Sequence, residues 1–338
     1  MIAWQRHYGR RALPWQNTRD PYRVWLSEIM LQQTQVATVQ GYYTRFLARF
    51  PDVAALAAAS EDAVLGLWSG LGYYSRARNL LRCAREVMTR FDGAFPRTAV
   101  QLATLPGIGR STAAAIAVFC FGERVAILDG NVKRVLARAF AFDADLARAV
   151  NERSLWNRAT ALLPPADDPA ALIDYTQGLM DLGAMRCTPR QPHCAGCPLR
   201  AGCRALAQGD PLRYPVRKRT LRRGAESLWM LLARDEHARV WLEKRPARGI
   251  WAGLHCLPVF DARAALIQAL PPAIAARASD HAPFVHALTH KDLHLHPVQI
   301  EVDTGAFVQP ASHGAWYDAS AWSALGLPAP VRRLLEKG

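Results

Sequence analysis

The chain has 338 residues and carries 42 Lys and Arg against 28 Asp and Glu, a net charge of +14 at pH 7, which favours a polyanionic partner over an acidic one. That length can bury a sizeable core and divide into two or three domains. Its longest unbroken apolar run, Ala113 to Phe121, has nine residues, less than half of the roughly 20 that a bilayer-spanning helix needs. Nothing at the start reads as a signal peptide, so a cytoplasmic protein with no membrane partner is expected. Seven cysteines, an odd number, argue against a disulfide framework, and four of them crowd between 187 and 203, as in a metal site.

Residues 1–205 read as a mostly α-helical region. Long stretches at helical period, "YRVWLSEIMLQQTQVATVQGYYTRFLARF" and "EDAVLGLWSGLGYYSRARNLLRCAREVMTRF", are separated by Pro, Asp and Gly. Inside the first, Glu28 stands among Trp25, Leu26, Ile29, Met30 and Leu31, where desolvation raises a carboxyl pKa and keeps a proton available near neutrality. Between about 102 and 120, "LPGIGRST" places Gly107 and Gly109 one residue apart, just before an alanine-rich helical run. Such glycines open backbone angles closed to other residues and let the first amides of the helix approach an anion. With this net charge, the anion is expected to be a phosphate in a polymer. Asp129 follows the apolar "RVAIL" and precedes "GNVKRVLARAF". That is the setting of a helix N-cap, in which a carboxylate accepts main-chain amides and stays ionised. Lys133, one helical turn on, is assigned to phosphate.

Cys187, six residues, Cys194, two residues, Cys197, five residues and Cys203 form a run rich in Pro and Arg. Four thiolates there can wrap one metal centre. Only the central pair fits zinc-finger spacing, and the run differs from ferredoxin runs, so zinc and an iron–sulfur cluster both stay open on spacing alone. The stretch "PLRYPVRKRTLRR", Pro211 to Arg223, holds two prolines and six basic residues with no acidic one, which marks 206–224 as a basic linker that touches phosphate. From 225 to 338 the β-like segments "SLWMLLAR", "RVWLEKRP", "LHCLPVF" and "HLHPVQIEV" predict a small α/β domain. The chain shows no internal repeat.

The cysteine spacing, "LPGIGRSTAAAI" and "ILDGNVKRVLAR" together resemble the helix-hairpin-helix DNA glycosylases of the endonuclease III superfamily, and "WLSEIMLQQTQV" with "GLGYYSRARN" is similar to the MutY-type adenine DNA glycosylases. The resemblance implies a helix-hairpin-helix fold that grips the DNA backbone at Gly107 and Gly109, and a 4Fe-4S cluster on the four cysteines. It implies a substrate of double-stranded DNA with A opposite 8-oxoguanine or A opposite G, bound by a monomer. Cutting an N-glycosidic bond needs a protonated leaving base and a stabilised oxocarbenium-like sugar. The resemblance makes Glu28 the proton donor and Asp129 the group facing the cation, with Asn131 helping to orient it. A flipped base leaves a gap to fill: Tyr73 would stack beside the lesion and Gln32 enter the helix, while Trp15 and Gln177 line the adenine pocket. Bifunctional relatives carry a Schiff-base lysine just before the Thr of the hairpin. Ser111 stands there, which implies a monofunctional enzyme leaving an abasic site.

The tail segment "EKRPARGIWAGLHCLPVF" is similar to the Nudix-like domain of this family but lacks the acidic magnesium-binding box, which implies lesion recognition without nucleotide hydrolysis. Leu288, Thr289 and His290 stand where relatives carry Phe-Ser-His, so Thr289 and His290 are expected to contact the 8-oxoguanine strand. Two rival readings are a thymine glycosylase for G·T mismatches, against which the long tail argues, and a non-catalytic iron–sulfur protein that binds DNA or transfers electrons, which would not need Glu28.

Overall fold

The structure, a computed structural model, describes residues 1–216, 223–304 and 314–337; positions 217–222 of the expected linker lie outside the described residues. The chain divides into two compact units, Met1–Ala58 with Asn79–Thr220, and Ala59–Arg78 with Leu221–Gly338. Among the described residues no helix is long and apolar enough to cross a membrane.

The first unit is helical, and short polar side chains start its helices. Asp20 accepts from the Tyr22 amide with Pro21 beside it, and Asp129 and Asp168 accept from Val132 and Ala171. Each cap satisfies an amide with no partner inside the helix, which contributes about 1 kcal/mol. The first long periodic stretch is not continuous: it breaks between the helices Pro21–Leu31 and Val36–Arg49, where Gln33 has a φ of 58°. A left-handed non-glycine residue cannot continue a right-handed helix, so the chain turns there. The second stretch breaks in the same way between Glu61–Trp68 and Ser75–Phe91, with Tyr73 at φ 48°.

The glycine motif joins the short helix Ala99–Leu102 to Arg110–Phe121, and its two glycines serve different ends. At Gly107 φ is 76°, and a Cβ would stand 2.7 Å from Cβ of Asn79, so conformation and packing both demand glycine. Gly109 is the N-cap of Arg110–Phe121 with no side-chain cap, and a Cβ there would meet nothing within 4 Å.

The second unit is built on a mixed sheet of β1 (Gly224–Asp235), β2 (Val240–Lys244), β3 (His255–Cys256), β4 (Val259–Phe260), β5 (Ser279–Asp280), β6 (Phe284–Ala287), β7 (Lys291–Val302) and β8 (Gly314–Tyr317). The order is β3-β2-β1-β7-β5, with β4 on β1, β6 on β7 and β8 on β2. The central pair, β1 and β7, is parallel from Gly224↔Lys291 to Asp235↔Val302. Leu228, Met230 and Leu232 fill one core and Leu231 and Ala233 another. Burial on both faces is why this strand reads as an almost continuous apolar run. Residues 59–78 pack with this unit: Ser69 Oγ and Tyr74 Oη donate to the Leu327 carbonyl at 3.3 and 2.8 Å, and Lys244 pairs with Asp62 at 2.6 Å. Linear composition gives no sign of that pairing.

Candidate active site

In the first unit a cleft of about 1760 Å³ is lined by Trp15, Glu28, Gln32, Ser111, Asp129, Asn131 and Gln177, seven of the residues singled out from sequence. Glu28 reaches it from the helix Pro21–Leu31 and Asp129 from the start of Gly130–Ala139. Burial lifts the Glu28 carboxyl to about 8, and the charge of Asp129 adds to the rise. Burial also raises Asp129, but the amides of Val132 and Asn131 and the charges of Arg134 and Lys133 oppose it. The Val132 amide is 2.7 Å from Asp129 Oδ1. The pair therefore holds its proton on Glu28 and its negative charge on Asp129, against the amides that favour the charged form.

The rest of the wall is held in place by packing and hydrogen bonds. Trp15 is 7% exposed and sits edge-on to Tyr43 with ring centroids 5.3 Å apart. Ser111 Oγ accepts from the Leu128 amide at 3.1 Å, Gln32 Nε2 donates to Thr112 Oγ1 at 3.4 Å, and Asn131 Oδ1 accepts from Arg134 at 2.9 Å. Gln177 Nε2 donates to Asp181 at 3.0 Å. Lys133 pairs with Glu152 and does not line the cleft. Arg10, Arg134 and Asp181 are polar groups that sequence reading missed. Arg10 and Arg134 each stand beside another basic residue and read as ordinary solvated charge, whereas Asp181 is a single acidic residue between Met180 and Leu182, a signal of burial that could have found it.

The second unit brings two other singled-out residues together. Tyr73 Oη lies 3.0 Å from Thr289 Oγ1 although the two are 216 positions apart, and Tyr73 is 45% exposed. Thr289 and His290 are exposed in the turn between β6 and β7, where the His290 carbonyl accepts from Gly224 at 3.0 Å. Leu288, which stands in place of the expected Phe, packs against the apolar core of this unit.

Cys187, Cys194, Cys197 and Cys203 line one small cavity in the first unit, and among the described residues no three of their sulfurs lie within 4.8 Å of one another. Arg138, only 2% exposed, organises the loop. It donates to Cys187 Sγ at 3.3 Å, to the carbonyls of Thr188 and Pro189 at 2.7 and 3.0 Å, and to that of Tyr214 at 3.1 Å.

Residues 26–158 match the family model described as HhH-GPD superfamily base excision DNA repair protein, and residues 228–337 match a NUDIX domain. An adenine DNA glycosylase of Buchnera aphidicola subsp. Baizongia pistaciae is 34% identical over 339 residues, covering 100% of this chain and 95% of the relative. One from Mus musculus is 48% identical over 214 residues, 61% of this chain and 41% of the relative. Among solved structures, a thermostable thymine-DNA glycosylase aligns with a TM-score of 0.54 at 28% identity, covering 61% of this chain and 93% of that one. A non-covalent endonuclease III–DNA complex, at TM-score 0.50 and 21% identity over 62% of this chain and 94% of that one, shows the fold. Since the Buchnera relative matches from end to end, tail included, the chain belongs to the adenine DNA glycosylase family of DNA N-glycosylases.

Proposed function

We propose that the chain removes adenine paired with 8-oxoguanine or with guanine, cutting only the N-glycosidic bond and leaving an abasic site, and that it acts as a cytoplasmic monomer. The observation that carries this is the carboxyl pair on one cleft, with Glu28 protonated near neutrality because burial and the Asp129 charge lift it to about 8. An adenine flipped into the cleft takes the Glu28 proton on a ring nitrogen, so the electron pair of the breaking bond leaves with a neutral base. Asp129 faces the developing sugar cation, with Asn131 beside it. Water adds to the cation and returns its proton to Glu28. Ser111 offers a hydroxyl where Schiff-base chemistry needs an amine, which supports hydrolysis without strand cleavage.

In this reading Trp15 and Gln177 bound the base, Gln32 fills the vacated stack, and Gly107, Gly109 and Lys133 hold the DNA backbone. Tyr73, Thr289 and His290 read the 8-oxoguanine strand. Cys187, Cys194, Cys197 and Cys203 would hold a four-iron, four-sulfur cluster. The donor set fits: four thiols line one cavity, and Arg138 hydrogen-bonds to a sulfur, as suits a cluster held by thiolates. Bound there, the cluster supplies a covalent tie for a loop with little apolar content. Protein purified aerobically should be yellow-brown with about four irons per chain; one zinc per chain would overturn the assignment.

The substrate test is a duplex with A opposite 8-oxoguanine or A opposite G, incubated with the protein and then treated with alkali. Scission at the A position only after alkali is expected, and a G·T duplex should stay intact. Release of thymine instead, or no scission of either adenine duplex, sinks the reading.

A further inference from the structure

Asp181, on the helix Pro169–Met185, is fully buried, and all of its hydrogen bonds are accepted ones. Arg10 donates from its main-chain amide at 2.8 Å and from its guanidinium at 2.9 and 2.5 Å. Gln5 Nε2 donates at 3.1 Å and Gln177 Nε2 at 3.0 Å. The three donors of Arg10 reach both oxygens, so Asp181 is the accepting partner of an ion pair with Arg10. An ionised carboxylate can only accept. One turn back on the same helix, Gln177 must therefore turn its amide nitrogen to Asp181 and its oxygen away. The two ends of a carboxamide have nearly the same shape, so it is the carboxylate that chooses between them. The Gln177 oxygen has no partner among the described residues, and Gln177 lines the cleft that also holds Glu28 and Asp129.

We infer that Asp181 is a positioning residue for base selection. By taking the Gln177 amide nitrogen it fixes the Gln177 oxygen toward the flipped base, which accepts from the exocyclic amine of adenine and repels the carbonyl of a 6-oxopurine. This rests on reading the cleft as the base pocket. The same carboxylate holds Arg10, and through it the segment leading to Trp15, so the two walls of the pocket share one anchor.

The test is the ratio of single-turnover release of adenine to that of hypoxanthine, each placed opposite guanine. Wild type should favour adenine by about a hundredfold or more, since a site built for an amine rejects the analogue that lacks it. Asp181→Asn offers Gln177 a donor as well as an acceptor and frees its amide to turn, so the ratio should fall about tenfold. Combining Asp181→Asn with Gln177→Glu restores an acceptor-only group on the pocket side, now held by the new amide at 181, and the ratio should recover. A merely structural role would slow both substrates alike and leave the ratio unmoved. Should Asp181→Asn fail to fold, Gln177→Leu keeps the Arg10–Asp181 pair and should lose the preference by a similar factor. A wild-type ratio in Asp181→Asn or in Gln177→Leu, or no recovery in the double variant, overturns the inference. No adenine release by the wild type would instead overturn the pocket reading beneath it.

Discussion

A carboxyl lifted to about 8 keeps its proton through neutral pH and loses it above. Base release under single-turnover conditions should therefore be flat from neutrality to about pH 8 and fall roughly tenfold per pH unit beyond it. The same shift sets a stability dependence of the opposite benefit. The folded state binds the Glu28 proton more tightly than the unfolded chain, so stability falls as pH rises from the ordinary carboxyl range toward 8. Glu28→Gln should abolish most base release and its alkaline limb while raising Tm at pH 8 by about 2–4 °C; an unchanged pH profile would remove Glu28 from the chemistry. At Ser111, whose hydroxyl stands on the cleft wall, Ser111→Lys supplies the amine that bifunctional relatives use. Borohydride should then trap a covalent DNA adduct visible on a denaturing gel. Its absence would show that position 111 does not face the sugar.

The hairpin gives the sharpest contrast at the scale of an element. Gly107→Ala meets both a left-handed φ and the Asn79 side chain, which costs about 1–3 kcal/mol and should lower Tm. Gly109→Ala meets neither, since its φ is −82° and the space is open. It should melt near wild type yet, if these amides meet phosphate as proposed, bind an abasic-site duplex about tenfold more weakly, because a methyl group then stands over them. Equal loss of stability in both variants would contradict this division of labour. The helix breaks were harder to read. Period summed over each long stretch passes over the four polar residues Gln32–Gln35 and over Gly70 and Gly72, whereas the structure turns the chain at Gln33 and Tyr73.

For the molecule as a whole, the residues offered for lesion reading belong to the second unit, and the two carboxylates to the first. Thr289→Ala with His290→Ala should weaken the preference for A opposite 8-oxoguanine over A opposite G by on the order of tenfold, as expected for one good base contact, with adenine release from A opposite G little changed. An unaltered preference would place lesion reading elsewhere. Point substitution is a cleaner test than cutting the chain after Arg223. Residues 59–78 have their partners in that tail, Leu327 and Lys244 among them, and truncation would strip them together with the recognition loop.

What the sequence determined by itself is local. The Asp129 cap, the two-glycine hairpin, the cysteine spacing, the apolar neighbours of Glu28 and the apolar run of β1 each act within a few residues, and the cap, the hairpin and the strand are found where short-range chemistry puts them. Tertiary structure decided which of these side chains share a site. Glu28 and Asp129 meet on one cleft because separate helices pack against each other. Tyr73 reaches Thr289 because residues 59–78 pack with the C-terminal unit, and Arg138 and Asp181 became buried anchors because their partners, Tyr214 and Cys187 for one and Arg10 for the other, come from distant segments. Periodicity reports which face of an element is buried, but not which distant element covers it. That choice depends on the angles of the breaks and on packing summed over the core.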